Sequence, residues 1–303
     1  MATGYVLFNK YAGNLEDLED IKALEIYWKD PLKFIDITRI KNYGVFLRGL
    51  EKDDYIILAG GDGTINHFVN DTEGIDYRGE ILYVPCGTGN DFAHEFGRSQ
   101  YDEPFAITEY LRELPCVIVN SKKHNFINGV GYGIDGYCCE VGDELRKTPG
   151  KKINYTSIAI KGLLFHYKPT NARITVDGRS YTYKNVWLAP TMYGKFYGGG
   201  MNPTPNQSRI NQSKTLSVMV LHDSGKLKTL KMFPSIFKGE HVKYRNEVDI
   251  HSGHRITVEY DRPTPLQIDG ETISNVTSYT ALSPVYLKMK QAESTADFRR
   301  VIL

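Results

Sequence analysis

A glycine-rich loop with the sequence GGDGT, Gly60–Thr64, follows the apolar run Tyr55–Ala59 and precedes a helical pattern at Ile65–Asn70. Glycines at such a point let the backbone approach a phosphate and adopt positive φ without a Cβ penalty. Thr64 is placed to cap the helix, whose N-terminal amides would then face an anion. The Asp62 carboxylate cannot itself help to bind a phosphate. Its expected role is to bind a Mg²⁺ that phosphate oxygens also ligate.

A second loop of the same kind spans Pro85–Ala93, after the apolar run Ile81–Val84 and before another helical pattern. It again combines glycines with a hydroxyl group, on Thr88, and a carboxylate, on Asp91. Because ligands of open α/β sheets bind at the carboxyl ends of the strands, both loops are predicted to converge on one sheet edge. The alternative is that each loop is a tight strand–helix turn in which the aspartate caps a helix. Two such loops in the same setting favour a nucleotide site.

These loops belong to a segment in which strands and helices alternate. Apolar runs predict the strands, and apolar residues at three- and four-residue steps predict the helices. The predicted strands are Gly4–Asn9, Lys33–Thr38, Tyr55–Ala59 and Ile81–Pro85, and the predicted helices are Leu15–Trp28, Ile40–Leu50 and Phe105–Leu114. The alternation predicts a parallel sheet with helices on its faces.

The remainder of the chain is rich in short strands. Asp177-Gly178 and Ser252-Gly253 are each flanked by strand-like runs, and they predict two hairpins. Together with further short apolar runs, they predict an antiparallel sandwich or open barrel. The chain has 303 residues, more than one compact domain of roughly 100–200 residues, so two domains are predicted. Their expected limits are 1–118 and 119–287.

Charge, cysteine spacing and apolar runs narrow the partners and the cellular location that are expected for the protein. The net charge of +1 provides no global field to recruit nucleic acid, so no nucleic-acid partner is predicted. The four cysteines show no CxxC spacing and are expected to be reduced thiols. No apolar run approaches the roughly 18 residues that a membrane-spanning helix needs. The chain also begins without the pattern of a signal peptide, and a cytoplasmic protein is expected.

Three further segments follow the glycine-rich loops in order: Asn128–Asp135, Tyr197–Met201 and Ile268–Glu271. With the two loops, they resemble the motifs of the diacylglycerol kinase catalytic domain family, which includes sphingosine kinases and small bacterial lipid kinases. The resemblance covers nearly the whole chain. It implies an N-terminal Rossmann-like α/β nucleotide-binding domain and a C-terminal antiparallel β-sandwich domain, with ATP and Mg²⁺ in the cleft between them. It also implies that segment 288–303 packs back on the first domain.

The resemblance implies roles for individual residues. Those expected to bind the nucleotide or its magnesium are Asn9, Gly13, Thr38, Gly60, Gly61, Asp62, Gly63, Thr64, Asn66, Gly87, Thr88, Asn90, Asp91 and Asp135. Asp62 and Asp91 are the expected Mg²⁺ ligands, and Asp62 is also expected to be needed for catalysis. Asp269 and Glu271 lie in the Asp-Gly-Glu segment that supplies the catalytic base. A base suits the reaction, because a lipid hydroxyl loses its proton as it attacks the γ-phosphoryl group. The alternative for Asp269-Gly270 is a hairpin turn.

The sequence departs from the family pattern at three places. Asn9 is followed by Lys10 where proline is usual, and Tyr193 replaces an asparagine that usually precedes a glycine-rich segment. Bacterial members often carry an Asp-rich turn that holds a structural Mg²⁺, whereas Asn206–Lys214 contains no carboxylate. Neutral amides and basic groups suit a hard dication poorly, so this second metal is predicted to be absent.

The leading prediction is therefore an ATP- and Mg²⁺-dependent lipid kinase of phospholipid metabolism, with an acceptor such as diacylglycerol. Two alternatives stay open: an NAD-kinase-like nucleotide kinase, and a catalytically silent protein that binds nucleotide or lipid. Gly87–Ala93 and Asp269–Glu271 favour the lipid kinase. The expected partners are ATP and a lipid, with transient peripheral contact at the inner membrane surface. The acceptor lipid depends on the shape of an apolar pocket, which no linear pattern encodes, and oligomeric state is equally hidden.

Overall fold

The computed structural model describes residues 2–10, 15–100, 102–146, 158 and 161–301. The chain divides into two compact units, Met1–Glu113 and Leu114–Leu303. The first unit alternates strands and helices, and the second is dominated by strands. The predicted combination of an α/β domain with an all-β domain is confirmed. The domain limits 1–118 and 119–287, and the return of segment 288–303 to the first domain, stay predictions.

The N-terminal unit contains one sheet among its described residues. Its strands are β1 (Gly4–Phe8), β2 (Leu32–Asp36), β3 (Tyr55–Gly60), β4 (Ile81–Pro85) and β5 (Phe105–Ala106). Its helices are α1 (Leu15–Lys22), α2 (Leu24–Tyr27), α3 (Tyr43–Arg48), α4 (Asp62–Asp71), α5 (Asp91–Glu95) and α6 (Thr108–Leu111), with a 3-10 turn at Ile37–Arg39. The strand order is β2-β1-β3-β4-β5, and β1 to β4 run parallel while β5 is antiparallel.

Burial explains why these strands form. Ile56, Ile57 and Leu58 of β3 are fully buried, and a continuous apolar run of this kind is typical of a parallel strand covered on both faces. Burying each such side chain stabilises the fold by about 1.5–3 kcal/mol. The register pairs Gly60 with Pro85, so the loops that follow β3 and β4 leave the sheet at the same carboxyl edge.

The helix predicted over Phe105–Leu114 is wrong in its first part. Phe105 and Ala106 form the edge strand β5 against Tyr83 and Leu82, and the helix is limited to Thr108–Leu111. The ring centroids of Phe105 and Tyr83 lie 5.8 Å apart in an edge-on contact. Aromatic packing against β4 outweighs the local helical spacing, which the sequence pattern alone does not reveal.

The C-terminal unit is an antiparallel β-structure with three helices among its described residues. Its strands are β6 (Cys116–Val119), β7 (Lys122–Asn125), β8 (Gly129–Tyr132), β9 (Thr170–Val176), β10 (Arg179–Val186), β11 (Thr191–Met192), β12 (Leu216–Leu221), β13 (Val248–Gly253), β14 (Arg255–Ile268) and β15 (Glu271–Leu282). Its helices are α7 (Ile134–Arg146), α8 (Lys226–Phe237) and α9 (Pro284–Val301), with a π-turn at Gly162–His166 and a 3-10 turn at Glu240–Lys243. The strand order is β13-β12-β11-β8-β14-β15-β6-β7, with β9 paired to β14 and β10 to β9.

Of the two predicted hairpins, one is confirmed and one is wrong. Asp177 and Gly178 both have positive φ and connect β9 to β10, as a two-residue hairpin turn requires. Ser252-Gly253 does not connect paired strands, because β13 pairs with β12 while β14 pairs with β15, β8 and β9. The carboxylate of Asp177 accepts hydrogen bonds from the backbone N–H groups of His254 and Arg255, which fixes the start of β14 beside the first hairpin.

The interior of the C-terminal unit is apolar and rich in aromatic side chains. Tyr132, Tyr260 and Tyr279 are buried in its main cluster, and the rings of Tyr132 and Tyr260 stack with centroids 3.9 Å apart. Within the described part of the chain, no helix combines the length and apolar character needed to cross a membrane.

Candidate active site

The two glycine-rich loops meet at the carboxyl edge of the N-terminal sheet. A Cβ atom on Gly87 would lie 2.4 Å from the Cα of Gly61, and a Cβ on Gly61 would lie 3.1 Å from the Cα of Gly87. The backbone N–H of Cys86 also donates to the carbonyl of Gly60 at 2.8 Å. The loops therefore pack backbone against backbone, and a side chain at Gly87 would force them apart.

Asn90 organises the second loop. Its Oδ1 accepts from the backbone N–H of Gly87 at 3.0 Å, and its Nδ2 donates to the carbonyl of Gly87 at 2.5 Å. Asn90 has a φ of 49°, in the left-handed region that asparagine tolerates better than most residues. Burial raises the pKa of Tyr83 well above its usual value, so its hydroxyl stays protonated and donates to the carbonyl of Gly60 at 3.0 Å. Asn90 thus closes the second loop, and Tyr83 joins the strand before that loop to Gly60 of the first loop.

Asp62 connects the loops through its carboxylate. Oδ2 accepts from the backbone N–H of Asp91 at 2.9 Å, and Oδ1 accepts from that of Phe92 at 2.8 Å. These amides open α5, so Asp62 caps the helix that follows the other loop. The alternative prediction was that each aspartate caps the helix after its own loop. Asp62 does act as a helix cap, but the helix follows the other loop.

Helix α4 begins earlier than predicted, at Asp62. Gly61 occupies the N-cap position in an extended conformation, with φ −99° and ψ −170°, and no side chain caps the helix. The prediction that Thr64 caps it is therefore wrong, because Thr64 lies inside the first turn. Its Oγ1 lies against Gly60 instead, 2.1 Å from where a Cβ on that glycine would be. The space available to Thr64 thus depends on glycine at position 60.

The sheet topology brings the other expected nucleotide residues of this unit to the same edge. Asn9 follows β1 and Thr38 follows β2, and β1 is paired in parallel with β2 and β3. Thr88 is exposed on the second loop. Asn66 is buried within α4, where its Oδ1 accepts from Nδ2 of Asn70 at 3.2 Å. Gly13 lies outside the described residues.

Asp36, at the end of β2, also belongs to this edge, although it is not among the site residues predicted from the sequence. Its buried carboxylate accepts from the backbone N–H and the hydroxyl of Thr38, at 3.1 and 2.8 Å, and lies 3.3 Å from Nζ of Lys10. Burial alone would raise the pKa of Asp36, but the hydrogen bonds from Thr38 and the charge of Lys10 keep it below its usual value. The signal in the sequence was an acid at a strand end with a threonine two residues later, a common turn motif.

The chemical groups at this edge fit a magnesium-bound polyphosphate. The first turn of α4 carries backbone N–H groups that lack helical partners and favour an anion. No atom lies within 4 Å of where a Cβ on Gly63 would be, so that side of the loop is open to a ligand. Mg²⁺ at kinase sites is commonly bound by one or two carboxylates together with phosphate oxygens, and Asp62 and Asp91 are of that type. The described residues contain no cluster of three or more acidic, histidine or cysteine side chains suited to a metal.

The other predicted acidic residues belong to the C-terminal unit. Asp269 and Gly270 have φ values of 46° and 97° and form the turn between β14 and β15, so the backbone there is a hairpin. The carboxylate of Asp269 accepts three backbone N–H groups, from Ile127 at 2.6 Å and from Asn128 and Gly129 at 2.9 Å. Glu271 is the exposed first residue of β15.

Arg209 also binds the segment that contains Ile127 and Asn128. Its guanidinium is buried and donates to the carbonyl of Ile127 at 3.0 Å and to Oδ1 of Asn128 at 2.6 Å. The segment that binds the Asp269 carboxylate is thus fixed by a buried cation as well. In the sequence Arg209 is one basic residue of a polar loop, and no local pattern predicts this contact.

The loop Asn206–Lys214 is attached to the β-structure by protein groups. Buried Gln207 donates through Nε2 to the carbonyls of Tyr193 and Thr215, at 2.9 and 3.0 Å, and its Oε1 accepts from Ser217 at 2.7 Å. Tyr193, which replaces the usual asparagine, contributes its carbonyl to this attachment. The absence of a structural metal in this loop stays a prediction.

Asp135 lies in the first turn of α7 and is buried. Its Oδ2 accepts from the hydroxyl of Tyr197 at 3.2 Å, and its Oδ1 accepts from the backbone N–H of Gly136 at 2.9 Å. Burial raises the pKa of Asp135 to about 6, against its hydrogen bonds, which lower it. The contacts place its carboxylate in the interior of the C-terminal unit, and its expected part in nucleotide handling stays a prediction.

The raised pKa predicts a pH dependence of stability. Between pH 3.8, the usual pKa, and about 6, the folded state keeps a proton that the unfolded state releases. The stabilisation linked to Asp135 is therefore present below pH 4 and lost as the pH rises through about 6. Urea titrations measure the free energy of unfolding of Asp135→Asn and of wild type at acidic and at neutral pH. The variant's value minus the wild-type value should be on the order of 3 kcal/mol larger at neutral pH than at acidic pH. Asp53→Asn, at an exposed acid, should show no comparable change, and an equal difference at both pH values would contradict the assignment.

Two family models match the chain. The model described as the diacylglycerol kinase catalytic domain matches residues 3–115. The model described as the YegS C-terminal NAD kinase beta sandwich-like domain matches residues 128–291. The first match includes both glycine-rich loops, and the second includes Asp135, Asp269 and Glu271.

Curated relatives and solved structures agree with these matches. The diacylglycerol kinase of Bacillus subtilis is 27% identical over 227 residues, which cover 73% of this chain and 72% of the relative. The diacylglycerol kinase of Mycobacterium tuberculosis (strain H37Rv) is 27% identical over 214 residues, which cover 68% of this chain and 67% of the relative. A crystal structure of a diacylglycerol kinase from Bacillus anthracis superimposes with a TM-score of 0.57 at 19% identity, covering 93% of this chain and 94% of the other. At that identity the structural match concerns the fold alone.

Proposed function

We propose that this chain, which belongs to the diacylglycerol kinase family of lipid kinases with a C-terminal YegS-type domain, transfers the γ-phosphoryl group of ATP to a lipid hydroxyl such as that of diacylglycerol. The observation that carries the proposal is the contact between Gly61 and Gly87, reinforced by the Asp62 carboxylate. Two phosphate-type loops joined at one sheet edge make a rigid cradle for a polyphosphate chain.

The N-terminal unit binds the nucleotide in this proposal. The first turn of α4 and the Gly87–Asn90 loop receive the phosphates, and Asn9 and Thr38 contact the nucleotide from the neighbouring strand ends. The preformed contacts of Asn90 and Tyr83 favour transfer, since a loop that is already ordered loses little entropy when its ligand binds.

Asp62 and Asp91 are the residues that would hold a Mg²⁺ bound together with ATP. A bound Mg²⁺ neutralises charge on the phosphate oxygens during transfer. The backbone amides of Asp91 and Phe92 fix the direction of the Asp62 carboxylate, so the ligand is oriented before the metal arrives.

The acceptor side of the reaction belongs to the C-terminal unit. Asp269 is the proposed general base for the lipid hydroxyl, with Glu271 as its helper. The three backbone N–H groups on Asp269 and the Arg209 clamp on Ile127 and Asn128 hold the base in one orientation. A base so positioned needs no rearrangement when the acceptor arrives. The chain acts from the cytoplasmic side, in transient contact with the membrane that supplies the lipid.

A direct assay tests the proposal. Purified chain is incubated with Mg²⁺, γ-labelled ATP and separate acceptors: diacylglycerol, monoacylglycerol, sphingosine and NAD. A labelled phospholipid is expected with at least one lipid. Label transferred only to NAD would favour a nucleotide kinase, and nucleotide binding without any product would favour a silent binding protein.

A pair of glycine substitutions tests the contact between the loops, with Gly87→Ala as the test and Gly49→Ala as its control. Gly87→Ala places a Cβ 2.4 Å from the Cα of Gly61 and must displace one loop. We expect the transfer rate to fall by about a hundredfold, as loss of positioning of this size does. Gly49→Ala in the same unit meets only ordinary contacts of 3.4 Å or more and should keep wild-type activity. Equal activity of the two variants would contradict the role given to the contact between the loops.

A further inference from the structure

Helix α8, Lys226–Phe237, has apolar side chains on two opposite faces. Thr229, Met232 and Ile236 lie on the buried face. The outward face carries Leu227, which is 78% exposed, and Phe237, which is 42% exposed. The solvent-facing side of a helix in a globular protein is normally polar, so the outer face of α8 needs another explanation.

The outer apolar side chains form a continuous stripe. Leu227, Pro234 and Phe237 follow one another at steps of seven and three residues, which places them along one side of the helix. All three side chains are exposed, whereas Leu230 is half-buried and packs against the interior of the unit. In the 3-10 turn after the helix, Val242 is a further apolar side chain that is 42% exposed. A single exposed leucine would be ordinary, but a periodic stripe is not.

Basic residues flank this stripe. The segment 225–247 contains six lysines and arginines against two glutamates, a net charge of +4. The other 280 residues contain 31 basic and 34 acidic residues, a net charge of −3. Lys226, Lys231 and Lys238 are exposed on α8 itself, and burial lowers the pKa of His241, which therefore adds no charge at neutral pH. Positive charge is thus concentrated at the stripe, whereas the rest of the chain is slightly acidic.

We propose that α8 and the following turn, residues 226–245, form the surface with which this chain docks on an anionic lipid bilayer. Leu227, Pro234 and Phe237 enter the boundary between head groups and acyl chains, and the lysines beside them contact head-group phosphates. An apolar stripe bordered by lysines is the pattern of helices that lie in a membrane interface, and anionic lipid attracts such basic segments. The inference rests on the proposed function in one respect, since a lipid acceptor resides in the bilayer.

Vesicle sedimentation of the full chain tests the surface. Vesicles of pure phosphatidylcholine are compared with vesicles of phosphatidylcholine and phosphatidylglycerol in equal amounts. The wild-type chain should bind the anionic vesicles more tightly, and the double change Lys231→Gln with Lys238→Gln should weaken this binding at least about tenfold. Leu227→Gln should weaken binding to a smaller degree. Lys52→Gln and Val45→Gln, at exposed positions of the N-terminal unit, are the matched controls and should bind as wild type does.

A second measurement separates this inference from the proposed function. Kinase activity is assayed on a dispersed short-chain diacylglycerol without vesicles, where the α8 variants should equal wild type. Variants that bind anionic vesicles as tightly as wild type overturn the docking surface, even if the chain phosphorylates lipid. Weakened vesicle binding in a chain that phosphorylates no lipid supports the surface and overturns the proposed function. If Leu227→Gln instead changes the molar mass in solution and leaves vesicle binding intact, α8 contacts a second copy and the membrane assignment is wrong.

Discussion

Replacement of Asp62 by asparagine is expected to reduce lipid phosphorylation by on the order of a hundredfold or more, as loss of a metal-orienting carboxylate does. The carboxylate is directed by the backbone N–H groups of Asp91 and Phe92, so its position is set before ligands bind. Asparagine has the same shape but no charge, and it presents only one oxygen. The apparent affinity for Mg²⁺ should therefore fall together with the turnover number.

The same change has a structural consequence that can be measured separately. One of the two backbone N–H groups would face the amide nitrogen of the introduced asparagine, and an unpaired group of this kind costs about 1–3 kcal/mol. Thermal unfolding of the variant reports this cost, while activity at saturating Mg²⁺ reports the catalytic loss. Asp102→Asn is the matched control, because Asp102 also accepts a backbone N–H, that of Ser99 at 2.7 Å, in an exposed turn. Near-normal turnover of Asp62→Asn would refute the assignment.

The meeting of the two loops could be predicted from the sequence because it follows from sheet geometry. Strands that run parallel bring their carboxyl ends to one edge, and the runs before Gly60 and Pro85 are apolar enough to be recognised as buried strands. The glycines then mark where the backbone must approach closely. The structure shows such an approach, because a Cβ on Gly87 would lie only 2.4 Å from the Cα of Gly61.

The partners of the acidic side chains could not be predicted in the same way. Asp62 accepts from amides 29 and 30 residues further along the chain, and Asp269 accepts from amides 140 to 142 residues earlier. Such contacts depend on how separate elements pack, which no local pattern encodes. The burial of Arg209 against Ile127 and Asn128 is of the same kind.

The wrong hairpin shows the limit of turn chemistry as a guide. Asp177-Gly178 and Ser252-Gly253 carry similar local signals, yet only the first connects paired strands. The second does not form a hairpin, because β13 pairs with β12 over six positions. Strand pairing in a large antiparallel sheet is decided by burial of whole strands, so a two-residue signal is outweighed there.

Replacement of Asp269 by asparagine is expected to abolish lipid phosphorylation while leaving ADP and ATP affinity almost unchanged. The nucleotide residues that surround the glycine-rich loops belong to the N-terminal unit, whereas Asp269 belongs to the C-terminal unit. Asparagine keeps the shape of the side chain but removes its capacity to take a proton from the acceptor hydroxyl. Calorimetric titration with ADP and product formation with the best lipid acceptor are measured on the same preparation.

The hydrogen bonds of Asp269 make a second variant necessary. Its carboxylate accepts three backbone N–H groups, so Asp269→Asn also turns an amide nitrogen toward one of them and should lower stability by about 1–3 kcal/mol. Glu271→Gln removes the charge of the neighbouring carboxylate, which is exposed and accepts none of these three N–H groups. If Asp269 is the base, Asp269→Asn is inactive at a temperature where it remains folded, and Glu271→Gln retains part of the activity. If Glu271→Gln alone is inactive, Glu271 is the base and Asp269 serves to hold residues 127–129 in place. Loss of ADP affinity in Asp269→Asn would contradict both assignments.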